Sequence, residues 1–146
     1  MSDLAIQFTD GLADLVVLNG DLQLDDSLLP SVLVSLGTDR RAAASDFIPD
    51  GTDDRRGWWA DFLTTDPLGS RLWLLARSRH TPETLTSAQD YAAEALQWLV
   101  DDGIWSAMDI LASVPDRKTL LISIRPTYPN GQTGDVITLT VPRISL

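Results

Sequence analysis

Apolar and polar residues alternate from the start of the chain: Leu4, Ile6 and Phe8 are interleaved with Ala5, Gln7 and Thr9. A period of two marks a strand with one buried face. Two more strand-like runs, 14–18 and 21–25, flank Asn19-Gly20. Both residues of that pair tolerate positive φ, so the spacing predicts a two-residue hairpin. The period then changes. Leu29, Val32, Leu33 and Leu36 share one face of a helix over 27–36, with Asp26 or Ser27 placed to cap it, Pro30 in its first turn and Gly37 at its end. Positions 38–68 show little periodicity. Thirty residues without a regular element is long for a compact domain, which predicts a functional loop or short helical turns within it.

Helical patterning resumes over 69–79 around Leu72, Trp73, Leu75 and Ala76. The next helix is better marked. Thr81 suits the cap, Pro82 the first helical position and Glu83 the positive end of the helix dipole. Leu85, Ala88, Ala92, Ala95 or Leu96, and Leu99 form its apolar stripe, and Gly103 closes it. Beyond Gly103 the period returns to two. Met108, Ile110, Ala112 and Val114 define one strand face, Leu120, Ile122 and Ile124 the next, with a Pro115-Asp116-Arg117-Lys118 turn between them. Tyr128-Pro-Asn-Gly131 with Gly134 makes another turn, and Ile137, Leu139 and Val141 alternate with Thr138 and Thr140 in a last strand. The order predicts a single α+β domain, in which antiparallel sheets from the N-terminal hairpin and the C-terminal strands pack with about three helices.

Composition narrows the function classes. The 146 residues are 44% hydrophobic and 22% charged, as in a globular domain with its own core. No apolar run approaches the roughly 18 residues of a membrane span, and the first residues lack the basic-then-apolar order of a secretory signal. There is no cysteine, so disulfides and thiolate metal sites are excluded. Twenty-one acidic residues against 11 basic ones give a net charge of −10, which argues against a phosphate-backbone partner.

Candidate chemistry is sparse. His80 is the single histidine, placed at a helix junction with no acid–base partner nearby in sequence, and no Gly-x-Ser-x-Gly elbow is present. Asp46, Asp50, Asp53 and Asp54 surround Gly51, but not in the order of a calcium loop. The glycines at 51 and 57 lack the Gly-Lys-Ser/Thr ending of a phosphate loop. No metal or cofactor is expected, and no catalytic residue is assigned.

The positive signal is the stretch 50–62, which puts Arg55, Arg56, Trp58 and Trp59 among turn formers. Arginine and tryptophan dominate protein–protein hot spots. If extended, adjacent tryptophans point to opposite faces, so either one enters the core while the other meets a partner, or both are buried. Arg40, Arg41, Arg55 and Arg56 either pair with Asp39, Asp53 and Asp54 or reach outward. Trp73 and Trp98 read as core. The final segment, 135–146, is either an internal strand or an edge open to a neighbouring subunit, with Pro142 and Arg143 opposing indiscriminate pairing.

Five motifs in order carry a resemblance: Ser35-Leu-Gly-Thr-Asp-Arg-Arg-Ala42, Asp50-Gly-Thr-Asp-Asp-Arg-Arg-Gly-Trp-Trp59, Gly69-Ser-Arg-Leu-Trp-Leu-Leu75, Thr81-Pro-Glu-Thr-Leu85 and Ala95-Leu-Gln-Trp-Leu-Val-Asp-Asp-Gly103. Together they resemble the baseplate proteins of Mu-like contractile-tailed phages, from about residue 3 to 125. That family is distantly similar to the sheath-initiator, or wedge, proteins of T-even phages, contractile bacteriocins and type VI secretion baseplates. The resemblance implies a non-catalytic α+β subunit of the virion tail baseplate, made in the host cytoplasm. It implies other baseplate wedge proteins, the tail sheath protein and tail tube or hub proteins as partners, with neither nucleic acid nor membrane. A contact motif after the first helix would fall on Asp39 and Arg40, although Thr38-Asp39-Arg40-Arg41 departs from the wider Glu-Pro-Arg wording. Sheath strand pairing would fall on the strand of Ile137, Leu139 and Val141. On this view, replacing Arg40 and Arg41 together leaves the domain folded and blocks incorporation into tails. The alternatives are a small tail-associated hydrolase of the cell wall acting through carboxylates, and a generic acidic binding module.

Overall fold

The computed structural model describes residues 3–9, 12–25, 27–79, 81–117 and 119–142. The N-terminal alternation produces three short antiparallel ladders. β1 (Asp3–Leu4) pairs with β6 (Leu24–Asp25), β2 (Ile6–Thr9) with β3 (Leu12–Leu15), and β4 (Val17–Leu18) with β5 (Asp21–Leu22). They meet in a ring of three hydrogen bonds. The Ala5 amide donates to the Gln23 carbonyl (2.8 Å), that of Gln23 to Val16 (2.8 Å), and that of Val16 to Ala5 (3.0 Å). Each stretch of chain thus switches partner at the ring. Asn19 and Gly20 join β4 to β5 with φ of 53° and 82°, the signs that a tight turn of this kind requires.

α1 (Leu29–Gly37) starts with Pro30 in its first turn and with Ser27 Oγ accepting from the Leu29 amide at 3.1 Å; Asp26 lies outside the described residues. Gly37 does not end it through a left-handed turn. It is the last helical residue, and the chain leaves through extended Thr38, whose amide still reaches Val34 O at 3.0 Å. α2 (Pro82–Asp101) is capped by Thr81 and buries Ala88, Ala92, Ala95, Leu96 and Leu99, the stripe read from the sequence. Gly103, at φ 73°, closes it.

The segment 69–79 is not an α-helix. It contains a five-residue 3-10 helix, Arg71–Leu75, so the domain has two α-helices rather than about three. Its start is fixed by extended Ser70, which bridges in parallel to Asp39. Leu72 and Leu75 then enter the core three residues apart, the repeat at which 3-10 side chains eclipse.

The C-terminal strands β7 (Ala107–Asp116), β8 (Thr119–Thr127) and β9 (Ile137–Pro142) form one antiparallel sheet in the order β7-β8-β9. Ala112, Ile122 and Leu139 align across it, and the register shifts between Ser113 and Asp116, around Pro115. Leu120, Ile122 and Ile124 of the central strand share one core with the α2 stripe and Val32, Leu33 and Leu36 of α1. Burying each such aliphatic side chain stabilises the fold by about 1.5–3 kcal/mol relative to exposure. Trp105, absent from the pattern reading, is the largest fully buried side chain, and its Nε1 has no hydrogen-bond partner among the described residues. Both β7 and β9 are sheet edges among those residues.

Candidate protein-contact site

The aperiodic stretch 38–68 leaves α1 and returns to the same place. Arg40 N–H donates to Ser70 O at 3.0 Å and Ser70 N–H to Thr38 O at 2.8 Å, while Ser70 Oγ donates to Leu36 O at 2.6 Å. Side chains lock this clamp. Arg40 donates from Nε to Gly69 O (3.1 Å) and from Nη2 to Pro67 O (2.8 Å), and its Nη1 lies 3.3 Å from Glu94 of α2. Glu94 also accepts from Arg71 Nε at 2.8 Å, and Arg71 Nη1 reaches Asp46 at 3.1 Å. Desolvation works against the Arg71 charge, but the hydrogen bonds to Glu94 and Asp46 outweigh it and its pKa is raised. The Arg71 guanidinium also lies over the Tyr91 ring, 4.6 Å from its centroid.

The other arginines divide between holding the loop and facing outward. Arg55 donates to the carbonyls of Ala43 and Ala44, and its own carbonyl accepts from Ala42. Arg56 bonds Asp39 at 2.6 Å and stacks over Trp73 at 4.5 Å, while Trp73 Nε1 donates to Arg40 O. Of the sequence-suggested pairs with Asp39, Asp53 and Asp54, the side-chain bridge that forms is Arg56–Asp39. Arg41 is exposed and makes no side-chain hydrogen bond or ion pair among the described residues.

Trp58 and Trp59 correct both sequence expectations. Neither enters the core: they are 44% and 75% exposed, with ring centroids 5.6 Å apart and planes tilted by 56°. The chain turns at Trp59–Ala60 instead of running extended, and Ala60 is the residue that faces inward. Asp61 fixes this turn by accepting from the Trp58 amide (3.0 Å) and, through its other oxygen, from the Leu68 amide (3.4 Å). Phe62 and Leu63 follow in a short 3-10 helix, both exposed. The result is an apolar outer surface on a loop tied down from within.

Ile137, Leu139 and Val141 lie on β9 opposite Ile124, Ile122 and Leu120. Leu139 is buried in the shared core, so this face holds the strand down while its outer backbone edge has no strand partner among the described residues. Sequence reasoning missed Arg71 and Glu94, which organise the loop. Glu94 lies on the polar face of α2 with Asp90, Gln97 and Asp101, opposite the buried stripe, so no feature of the sequence pattern marked it. Among the described residues no cluster of His, Asp and Glu fits a metal ion, and no helix is long and apolar enough to cross a membrane. His80 and Arg143 lie outside the described residues.

A model of the family described as phage protein GP46 matches residues 28–133, well over half of the chain. The chain is 49% identical over 131 residues to the baseplate protein gp46 of Escherichia phage Mu, covering 90% of each. This chain belongs to the phage protein GP46 family. It is also 42% identical over 134 residues to the Mu-like prophage FluMu protein gp46 of Haemophilus influenzae Rd, covering 91% of this chain and 92% of that one. The GP46 match takes in α1, the clamped loop, α2, β7 and β8. The N-terminal ladders and β9 fall outside it.

Proposed function

We propose that this chain is a structural subunit of the baseplate of a Mu-like contractile phage tail, where it joins inner wedge proteins and initiates the sheath. The observation that carries the baseplate reading is 49% identity, over nine-tenths of both chains, to a protein named as a Mu baseplate protein. Exposed tryptophan on a pinned loop supports a contact role. Internal hydrogen bonds already hold that loop, which lowers the ordering cost of a partner's apolar contact with Trp58, Trp59 and Phe62. Arg41, whose β-carbon lies against Gly57 just before the tryptophans, supplies a guanidinium without a side-chain partner among the described residues, whereas Asp39, Arg40, Arg55 and Arg56 shape the surface through internal bonds. For sheath initiation, the open edge of β9 is suited to add a neighbour's strand through main-chain hydrogen bonds.

The test follows from this division. Replacing Arg40 and Arg41 together is not a clean experiment, because Arg40 anchors the loop to Gly69, Pro67 and Glu94. The pair Arg41→Ala with Trp59→Ala removes outward groups alone. The double variant is expected to keep the wild-type circular dichroism and melting temperature while tails assembled with it lack the subunit. Normal contractile tails containing it would reject the assignment of these residues.

A further inference from the structure

The first basic residue of the chain is Arg40; the 39 positions before it hold seven aspartates and no lysine, arginine or histidine. Three of these aspartates repeat one arrangement around the ring of Ala5, Val16 and Gln23. Each ring donor follows an Asp-Leu pair, and Oδ1 of Asp3, Asp14 and Asp21 accepts from the amide of the next residue, Leu4, Leu15 or Leu22, at 2.8 Å each time. Because the amide after each leucine donates into the ring, alternation along the strand turns the leucine amide to the outer edge of its ladder. The carboxylates therefore occupy the outward donors of β1, β3 and β5 nearest the ring, where an added strand would bond. The same bonds hold the carboxylates in place, and none of the three forms an ion pair among the described residues.

The β4-β5 hairpin between two of these aspartates is apolar on both faces. Val17 and Leu22 are cross-strand partners, 62% and 43% exposed; Leu18, 58% exposed, projects from the other face and lies across from Asp21. A Val–Leu pair stabilises the hairpin itself, but Leu18 has no apolar partner across the ladder, and none of the three belongs to the shared core. We propose that this hairpin inserts into an apolar cleft of another tail protein, with lysine or arginine at the mouth of the cleft. Covering one face alone would leave either Leu18 or the Val17–Leu22 pair in water, so the cleft closes on both. The carboxylates of Asp14 and Asp21, already oriented by their main-chain bonds, meet the basic mouth. Charge selects this partner over a second copy of the chain, whose net charge is −10. The proposal rests on the baseplate reading and names the chemistry of one partner, held through side chains and without the tryptophan pair or the β9 edge.

Photo-cross-linking in assembled tails tests it, with benzoylphenylalanine placed at Val17 in one variant and at Leu18 in another. Both positions, on opposite faces of the hairpin, are expected to form adducts with the same partner protein, in apolar segments flanked by lysine or arginine. In parallel, Asp14→Asn with Asp21→Asn removes two charges while each amide oxygen can still accept from the following leucine amide. This double variant is expected to keep the wild-type circular dichroism and to enter tails about ten-fold less well, with the deficit shrinking as salt screens the wild-type contact. Adducts from one face only, adducts to an acidic segment or to a second copy, no adduct in particles that contain the protein, or wild-type incorporation of the asparagine variant overturns the cleft and leaves the baseplate reading standing. Particles that lack even the unsubstituted chain overturn the baseplate reading, and the cleft with it.

Discussion

Gly69 leaves no room for a side chain. Its φ is 99°, and a β-carbon there would collide with the carbonyl of Thr38, the group that closes the loop clamp. Gly51 also has positive φ (72°) but opens onto empty space. Gly51→Ala is therefore expected to cost about 1 kcal/mol of backbone strain and Gly69→Ala distinctly more, on the order of 3 kcal/mol; urea titration of the two variants separates strain from collision. The same loop contains a titration marker. The Thr52 hydroxyl, and next its amide, donate to the Asp50 carboxylate and hold its pKa below the usual 3.8. A depressed folded pKa means that the contribution is complete above 3.8 and is lost as pH falls through the folded value. Thr52→Val should raise the Asp50 midpoint in a carboxyl NMR titration, and an unmoved midpoint would refute the role of the hydroxyl. Such residue-level detail was only partly legible. Tryptophan beside arginine announced an outward surface, but the orientation of Trp58 and Trp59 depends on Asp61 reaching back to the Trp58 amide, which residue types alone do not reveal.

Elements whose signals are local were readable: the Asn19-Gly20 turn, the Thr81 cap with Pro82, and the period-two faces of β7 and β8. Thr81→Ala is expected to destabilise the domain by about 1 kcal/mol through loss of the bond to the Thr84 amide, measured by thermal or denaturant unfolding. The 3-10 helix at Arg71–Leu75 was not readable, because a bridge to Asp39, far back in the chain, decides where it begins. The order of the loop is likewise non-local. Glu94 joins Arg40 and Arg71 from a different element, and Asp46 extends the chain of charges. Glu94→Gln should lower the local opening free energy of the loop by about 1–2 kcal/mol, a range reduced for the partial exposure of these groups. Hydrogen exchange reads this as faster exchange at Arg40 and Ser70 with unchanged protection in β8. Uniform loss of protection across the sheet would show that Glu94 serves the whole core instead.

On the scale of the whole molecule, stability and contact are separated in space. The core lies between α1, α2 and one face of the C-terminal sheet, whereas the tryptophan pair and the β9 edge lie outside it. Trp58→Ala with Trp59→Ala is accordingly expected to change unfolding free energy by no more than about 0.5 kcal/mol while reducing assembly into tails. A large stability loss would return those rings to a structural role. The α+β class was legible from the alternation of periods; the fusion of the N-terminal strands into three ladders was not, because a two-strand hairpin and a three-way meeting point share the same residue pattern. That meeting point has a mechanical consequence. Because the strand through Ala5 belongs to one ladder before the ring and to another after it, tension along it loads both pairings in shear at once. Neither ladder can unzip end to end while the other holds. Force entering through this arm is therefore divided before it reaches the helices.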